Sequence, residues 1–165
     1  MTPSLFYREI PLTQGQVTIV DASDYEWLTQ WKWFAWWSPS GRCFYAVRSI
    51  TTPQKGTIRM NRQILGLEPG DKRQGDHANH DTLDNRRANL RIATSPENSQ
   101  NRRTQNNSKS GHKGVSYRPC KRKWRATIQV EGKHVHLGYR ETMEECIELY
   151  RTASLKHFGE YACAG

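Results

Sequence analysis

Between Gly75 and Asn98 the chain carries Asp76-His77, Asn79, Asp81, Asp84-Asn85-Arg86, Asn89 and Glu97-Asn98, with few apolar residues among them. Hydrolysis of a phosphodiester needs an activated water, neutralised charge at the phosphate and help for the departing oxygen. His77 suits a general base, because an imidazole titrates near neutral pH. Such a base needs a partner that fixes its ring and tautomer, and a side-chain amide such as Asn89 can be that partner. Asp76 and Asn98 offer hard oxygen donors, suited to Mg²⁺ or Mn²⁺ with waters and the phosphate completing the shell. Arg86, Arg87, Arg91, Arg102 and Arg103 can grip neighbouring phosphates. His80 is a weaker candidate for metal or DNA contact and reads better as an ordinary loop residue.

These residues need elements to hold them. A stretch so poor in apolar groups cannot build a core of its own. It is either disordered or organised around something such as a metal ion and a phosphate. Leu90 to Thr94 reads as a short strand, and Asp76-His77 is expected to return antiparallel to it after a loop rich in turn formers. Ser95 is a good N-cap, Pro96 suits the first helical position and Glu97 favours the helix dipole, which puts Asn98 in the first turn of a helix. The expected unit is a hairpin, a loop and a helix around a polar pocket.

On the N-terminal side, residues 1–70 read as β-rich. A strand is predicted at Gln16–Val20, a helical turn at Asp24–Leu28, and a hairpin from Trp31–Trp37 and Cys43–Arg48 across the turn Ser38–Arg42. Thr57–Met60 and the segment to Leu67 suggest a further strand and a short helix. The Trp-rich cluster suits a core better than a base-stacking platform. On the C-terminal side, Gln105–Gly111 is the clearest linker. Beyond it three strands (Gly114–Arg118, Lys123–Val130, His134–Tyr139) precede a helix opening at Thr142, with Glu145 completing a capping box. Cys146, Leu149, Tyr150 and Ala153 mark its apolar stripe, and Gly159 follows its end. Alternation places Ser116, Arg118, Arg125, Thr127, Gln129, His134 and His136 on one polar sheet face, the other face being free to pack on the helix.

Composition sets limits around this reading. The 165 residues carry a formal charge of +9 and are 35% hydrophobic, with a mean hydropathy of −0.89, so small modules are expected rather than one large core. Six Trp and seven Tyr give those modules large apolar pieces to bury. Residues 71–125 alone have a net charge of +9, against +2 before and −2 after them. So concentrated a patch fits a polyanion, with double-stranded DNA the expected partner. The four cysteines are scattered without a C-x-x-C pair, which argues against a zinc ribbon or a disulfide framework. With no apolar leader and no run of 18 apolar residues, no membrane role and a cytoplasmic location, in a bacterial or phage-infected cell, are expected.

Two families match these residues. The segment from Asp76 resembles the HNH endonucleases, specifically the phage and intron-encoded homing type, with the pattern D-H-x-N-x-D-x-x-x-N-x-x-x-N-L-R followed by E-N. The spacing of twelve residues from His77 to Asn89 and nine more to Asn98 agrees with it. The resemblance implies that Asp76 and Asn98 hold the metal, that His77 is the base and that Asn89 orients it. Relatives often have M-H-R upstream, where this chain has Met60-Asn61-Arg62. The block Lys113–Pro119, Lys123-Trp124 and His136–Tyr139 resembles the AP2/ERF DNA-binding domain, which implies three strands on one helix with the sheet as the DNA surface. Carried over by position, Lys113, Ser116, Arg118, Arg125, Thr127, Gln129, His134 and His136 become the contacts; His136 and Cys120 stand where plant members usually have Trp.

The expected fold is therefore α+β: a β-rich region at 1–70, a ββα-metal nuclease core at 71–105, a linker at 106–111, and a three-stranded sheet on one helix at 112–165. The expected activity is a metal-dependent DNA endonuclease. The alternative is a non-catalytic DNA-binding regulator with a decayed nuclease. Residues 1–70 are similar to the N-terminal half of phage and bacterial HNH proteins at the level of fold, and would brace the nuclease hairpin.

Overall fold

The computed structural model describes residues 6–51, 55–101 and 109–162. Arg102, Arg103 and most of the expected linker lie outside them. The chain is mixed α and β, built from small antiparallel sheets, and divides into two compact units, residues 1–95 and 96–165.

In the first unit β1 (Tyr7–Pro11) pairs with β2 (Val17–Asp21), and α1 (Ala22–Leu28) follows. The hairpin β3 (Phe34–Ser38) and β4 (Cys43–Ile50) gains a third strand, β5 (Gly56–Arg59), before the short helix α2 (Met60–Ile64). β6 (Gln74–His77) then pairs with β7 (Leu90–Ala93), with His77 opposite Leu90 and Asp76 opposite Arg91. One apolar cluster joins Ile10, Val20, Leu28, Trp33, Ala46, Met60, Ile64 and Leu90. Leu90 of β7 thus shares a core with residues of the N-terminal strands and helices.

The aromatic run is divided. Trp33 is buried and donates its indole N–H to the Leu28 carbonyl (2.8 Å), whereas Trp36 and Trp37 are 42% and 44% exposed.

In the second unit α3 (Ser95–Asn101) precedes the sheet β8 (Val115–Arg118), β9 (Lys123–Val130) and β10 (Lys133–Arg140), in the order β10-β9-β8. Its apolar face covers α4 (Met143–Phe158) through Val115, Ala126, Ile128, Cys146 and Tyr150. The capping box forms as the sequence predicts: the Thr142 hydroxyl accepts from the Glu145 N–H, and the Glu145 carboxylate accepts from the Thr142 N–H.

Gly114, at φ 69°, lies where the chain enters β8, and a side chain there would collide with the Thr127 carbonyl and the Tyr150 ring. Gly114→Ala is expected to cost on the order of 3 kcal/mol of unfolding free energy, measured by denaturant titration. Wild-type stability would contradict this packing.

Candidate active site

The residues between β6 and β7 form a loop with little apolar content, and neighbouring strands hold it in place. The Ile19 N–H donates to the Leu83 carbonyl (3.0 Å) and the Asn85 N–H to the Ile19 carbonyl (2.8 Å), so β2 clamps the loop from one side. The Thr82 hydroxyl donates to the Phe44 carbonyl of β4. Within the loop, Asp84 receives a bidentate ion pair from Arg86 (2.7 Å each) and a bond from the Asn79 amide (2.9 Å). Those bonds hold the Asp84 carboxyl below its ordinary range, the Arg86 hydrogen bond being the main cause. His80 occupies a loop position at φ 66°.

His77 closes β6 and is 5% exposed. Its Nε2 lies 3.3 Å from the Asn85 Oδ1. The roles in that contact follow from a relay. The Leu83 carbonyl can only accept, so the Thr18 hydroxyl donates to it (2.7 Å) and must accept from the Asn85 Nδ2 (2.8 Å). The amide oxygen of Asn85 is then the atom facing His77, and it too can only accept. Nε2 must carry the proton, which leaves the lone pair on Nδ1. Burial pushes the imidazole below its ordinary value of 6.5, outweighing the Asn85 hydrogen bond and the fields of Asp76, Asp81 and Asp84, all of which favour the charged form. Burial thus favours the neutral imidazole, and the relay defines its tautomer.

Here the expected roles change. Asn89 does not orient the imidazole. Its Oδ1 accepts from the Asn79 N–H (2.9 Å) and its Nδ2 donates to the Asp84 carbonyl (2.8 Å), so both ends of the amide pin the loop. Asn85 is the residue that meets the ring at Nε2. The sequence held part of that signal, since Asn85 belongs to the matched pattern, but nothing in the sequence marks Thr18.

The arginines also differ from a simple phosphate-gripping row. Arg86 pairs with Asp84, Arg87 with Asp24, and Arg91 with Asp76 through Nε and Nη2 (2.8 Å each). Each is committed to a carboxylate of its own unit, so their first task is structural. Asn61 is buried and donates to the Gly75 carbonyl (2.8 Å), tying α2 to β6.

Asp76 is buried on β6 opposite Arg91. Asn98 stands in the first turn of α3, in the second unit. Among the described residues no three His, Cys, Asp or Glu side chains cluster closely enough to hold a metal. Asp76 supplies a single hard carboxylate, which is unlike a closed zinc cage and is already ion-paired to Arg91.

On the second unit's sheet, the register pairs Ser116 with Arg125, Thr127 with His136 and Gln129 with His134, so these residues share one face, and the alternation of β8 adds Arg118 to it. A bulge between His136 and Gly138 shifts the ladder and brings Tyr139 onto the same face, opposite Arg125. Its ring packs on His136 (4.7 Å) and lies under the Lys121 ammonium (4.3 Å). A one-residue bulge leaves no mark on alternation, and Tyr139 is missed for that reason. Lys113, before β8, donates to the Gln100 carbonyl (2.7 Å).

No protein-family model matches the chain, and no solved structure matches it. The chain is similar to Protein 3.8 of Escherichia phage T7, with 36% identity over 87 residues, which is 53% of this chain and 71% of that one. A stretch of that length in 165 residues necessarily includes residues 79–87, the body of the clamped loop.

Two outcomes test this geometry. Imidazole ¹⁵N shifts should show His77 protonated at Nε2, and Thr18→Val, which strands the Asn85 amide at a cost of about 1–3 kcal/mol, should let the other tautomer appear. A wild-type ring protonated at Nδ1 would refute the relay. Stability should respond to pH as well. His77 is kept neutral on folding, so its contribution is complete above the unfolded value of 6.5 and is lost as pH falls through the lower folded value. Over that window the wild type should lose more unfolding free energy than His77→Gln; equal losses would show that His77 is not the group responsible.

Proposed function

We propose, from the geometry at His77 and the resemblance of residues 76–98 to the HNH endonucleases, that the chain, which belongs to the family of Protein 3.8 of Escherichia phage T7, is a phage-encoded, metal-dependent endonuclease of the HNH type that cuts or nicks double-stranded DNA. The observation that carries the reading is the buried, neutral His77, its tautomer fixed by Asn85 and Thr18, beside Asp76 at the end of a clamped hairpin. A general base needs a lone pair on a defined nitrogen, and the relay supplies one.

In this reading Nδ1 of His77 takes a proton from water as the water oxygen attacks phosphorus, and the bond from phosphorus to the departing sugar oxygen breaks. Asn85 stabilises the imidazolium that forms, because its amide oxygen still accepts from Nε2. Asn89, Asp84 and Arg86 keep the loop from shifting as charge develops. Asp76 would hold a Mg²⁺ or Mn²⁺ ion, which when bound neutralises charge on the phosphate and on the departing oxygen. Asn98 enters as the second ligand only through the family resemblance. The polar face of the second unit, carrying Arg118, Arg125, Thr127, Gln129, His134, His136 and Tyr139, supplies the reader for a DNA groove.

A second reading, a DNA-binding regulator without catalysis, is favoured by one feature: Asp76 is already ion-paired to Arg91.

Supercoiled plasmid incubated with Mg²⁺ or Mn²⁺ separates the two. The wild type should relax or linearise it, a chelator should stop the reaction, and His77→Ala should lower the rate at least ~100-fold with DNA binding retained. Binding without cleavage on any DNA would leave the regulator. Because His77 must be neutral to act, the rate should hold as pH drops to 6.5 and fail only below it. Arg125→Ala should weaken binding and flatten its salt dependence without altering the rate on saturating DNA.

A further inference from the structure

We propose that Trp36, Tyr45 and Arg59 form a stacking subsite that takes an unpaired base and its phosphate from the DNA strand leading into His77. This rests on the nuclease reading and names how that site would hold its substrate. Trp36 of β3 is directly opposite Tyr45 of β4, with ring centroids 6.4 Å apart, and the Tyr45 ring lies 6.3 Å from that of His77. Three rings thus lead from the sheet to the candidate base in two steps of similar length. The Arg59 guanidinium, from β5, sits over both aromatic rings, 4.2 Å from the Tyr45 centroid and 5.5 Å from that of Trp36.

Arg59, like Arg8 and Arg48, meets aromatic rings and no carboxylate among the described residues. Arg86, Arg87 and Arg91 are each neutralised by a carboxylate, whereas among the described residues Arg59 makes no ion pair. Its positive charge is balanced only by aromatic faces, which orient a cation without discharging it. Trp36, meanwhile, is 42% exposed, although Trp33 three residues earlier is in the core. An indole open to solvent under a cation with no counter-charge is complementary to a nucleotide, whose base offers a π-face and whose phosphate offers the missing anion. The subsite is continuous with His77, so its occupant is the strand being cut rather than a separate ligand. A duplex keeps its bases stacked on one another, so the base bound here must be unpaired, at a fray, a bubble or a locally melted step.

The test uses the full chain without metal, so that no cleavage occurs. A single-stranded oligothymidylate carrying 5-bromouracil is bound, irradiated and digested with trypsin. The crosslink is expected on the peptide spanning residues 33–42 or that spanning 43–48. By fluorescence anisotropy Trp36→Ala should weaken the oligonucleotide about tenfold, Trp36→Phe should retain most of the affinity, and Arg59→Gln should reduce the salt dependence by about one counterion. Thermal unfolding of each variant checks its fold. Wild-type affinity in folded Trp36→Ala, or crosslinks confined to residues 115–140, would overturn the proposal. Its failure is distinct from that of the nuclease reading, which turns on plasmid cleavage with metal present.

Discussion

The site depends on how a loop almost without apolar residues is made rigid. Residues 78–86 cannot bury enough carbon to offset the entropy of ordering them. Their order comes from hydrogen bonds instead, and the central one is the relay from the Leu83 carbonyl through Thr18 and Asn85 to His77. Every member is buried or part-buried, so each bond is made where water cannot compete, and each orphaned partner would be costly. Direction matters as much as strength. A backbone carbonyl that can only accept sits at one end, and its polarity passes through a hydroxyl and an amide to decide which imidazole nitrogen is protonated.

The same economy governs the charges. The basic excess of residues 71–125 suggests a surface of free cations, yet Arg86, Arg87 and Arg91 are spent on Asp84, Asp24 and Asp76. A local charge sum cannot detect this, because Asp24 lies 63 residues away from its partner. Basic groups remain on the second unit's sheet, and in the first unit Arg59, on β5, makes no ion pair among the described residues. Where the positive charge is and where it can act are therefore different questions.

Much of the fold was legible. Strands β2, β4, β7 and β9, the short helices and the Thr142 capping box follow from local pattern, because each is decided by residues within a few positions of one another. The antiparallel return of Asp76-His77 onto Leu90 was legible for the same reason. What escaped depends on distance or on exceptions to period. Thr18 meets Asn85 across 67 residues, the bulge in β10 moves Tyr139 to a new face, and nothing in the run Trp31–Trp37 says which indole is in the core and which is outside. The pattern offers Asn89 as the ring's partner because it gives spacing and not direction; both ends of that amide bond within the loop.

The clamp between β2 and the loop also determines when the site comes into being. Its bonds join segments some 65 residues apart, so they form only after the ends of a long intervening chain have met. A partly folded first unit has a His77 whose ring is neither buried nor polarised. Burial and polarisation of the His77 ring thus depend on the folded first unit rather than on residues 76–98 alone, and that segment is not a transferable cassette. The tautomer of one imidazole is in this sense a report on the folding of the whole first unit.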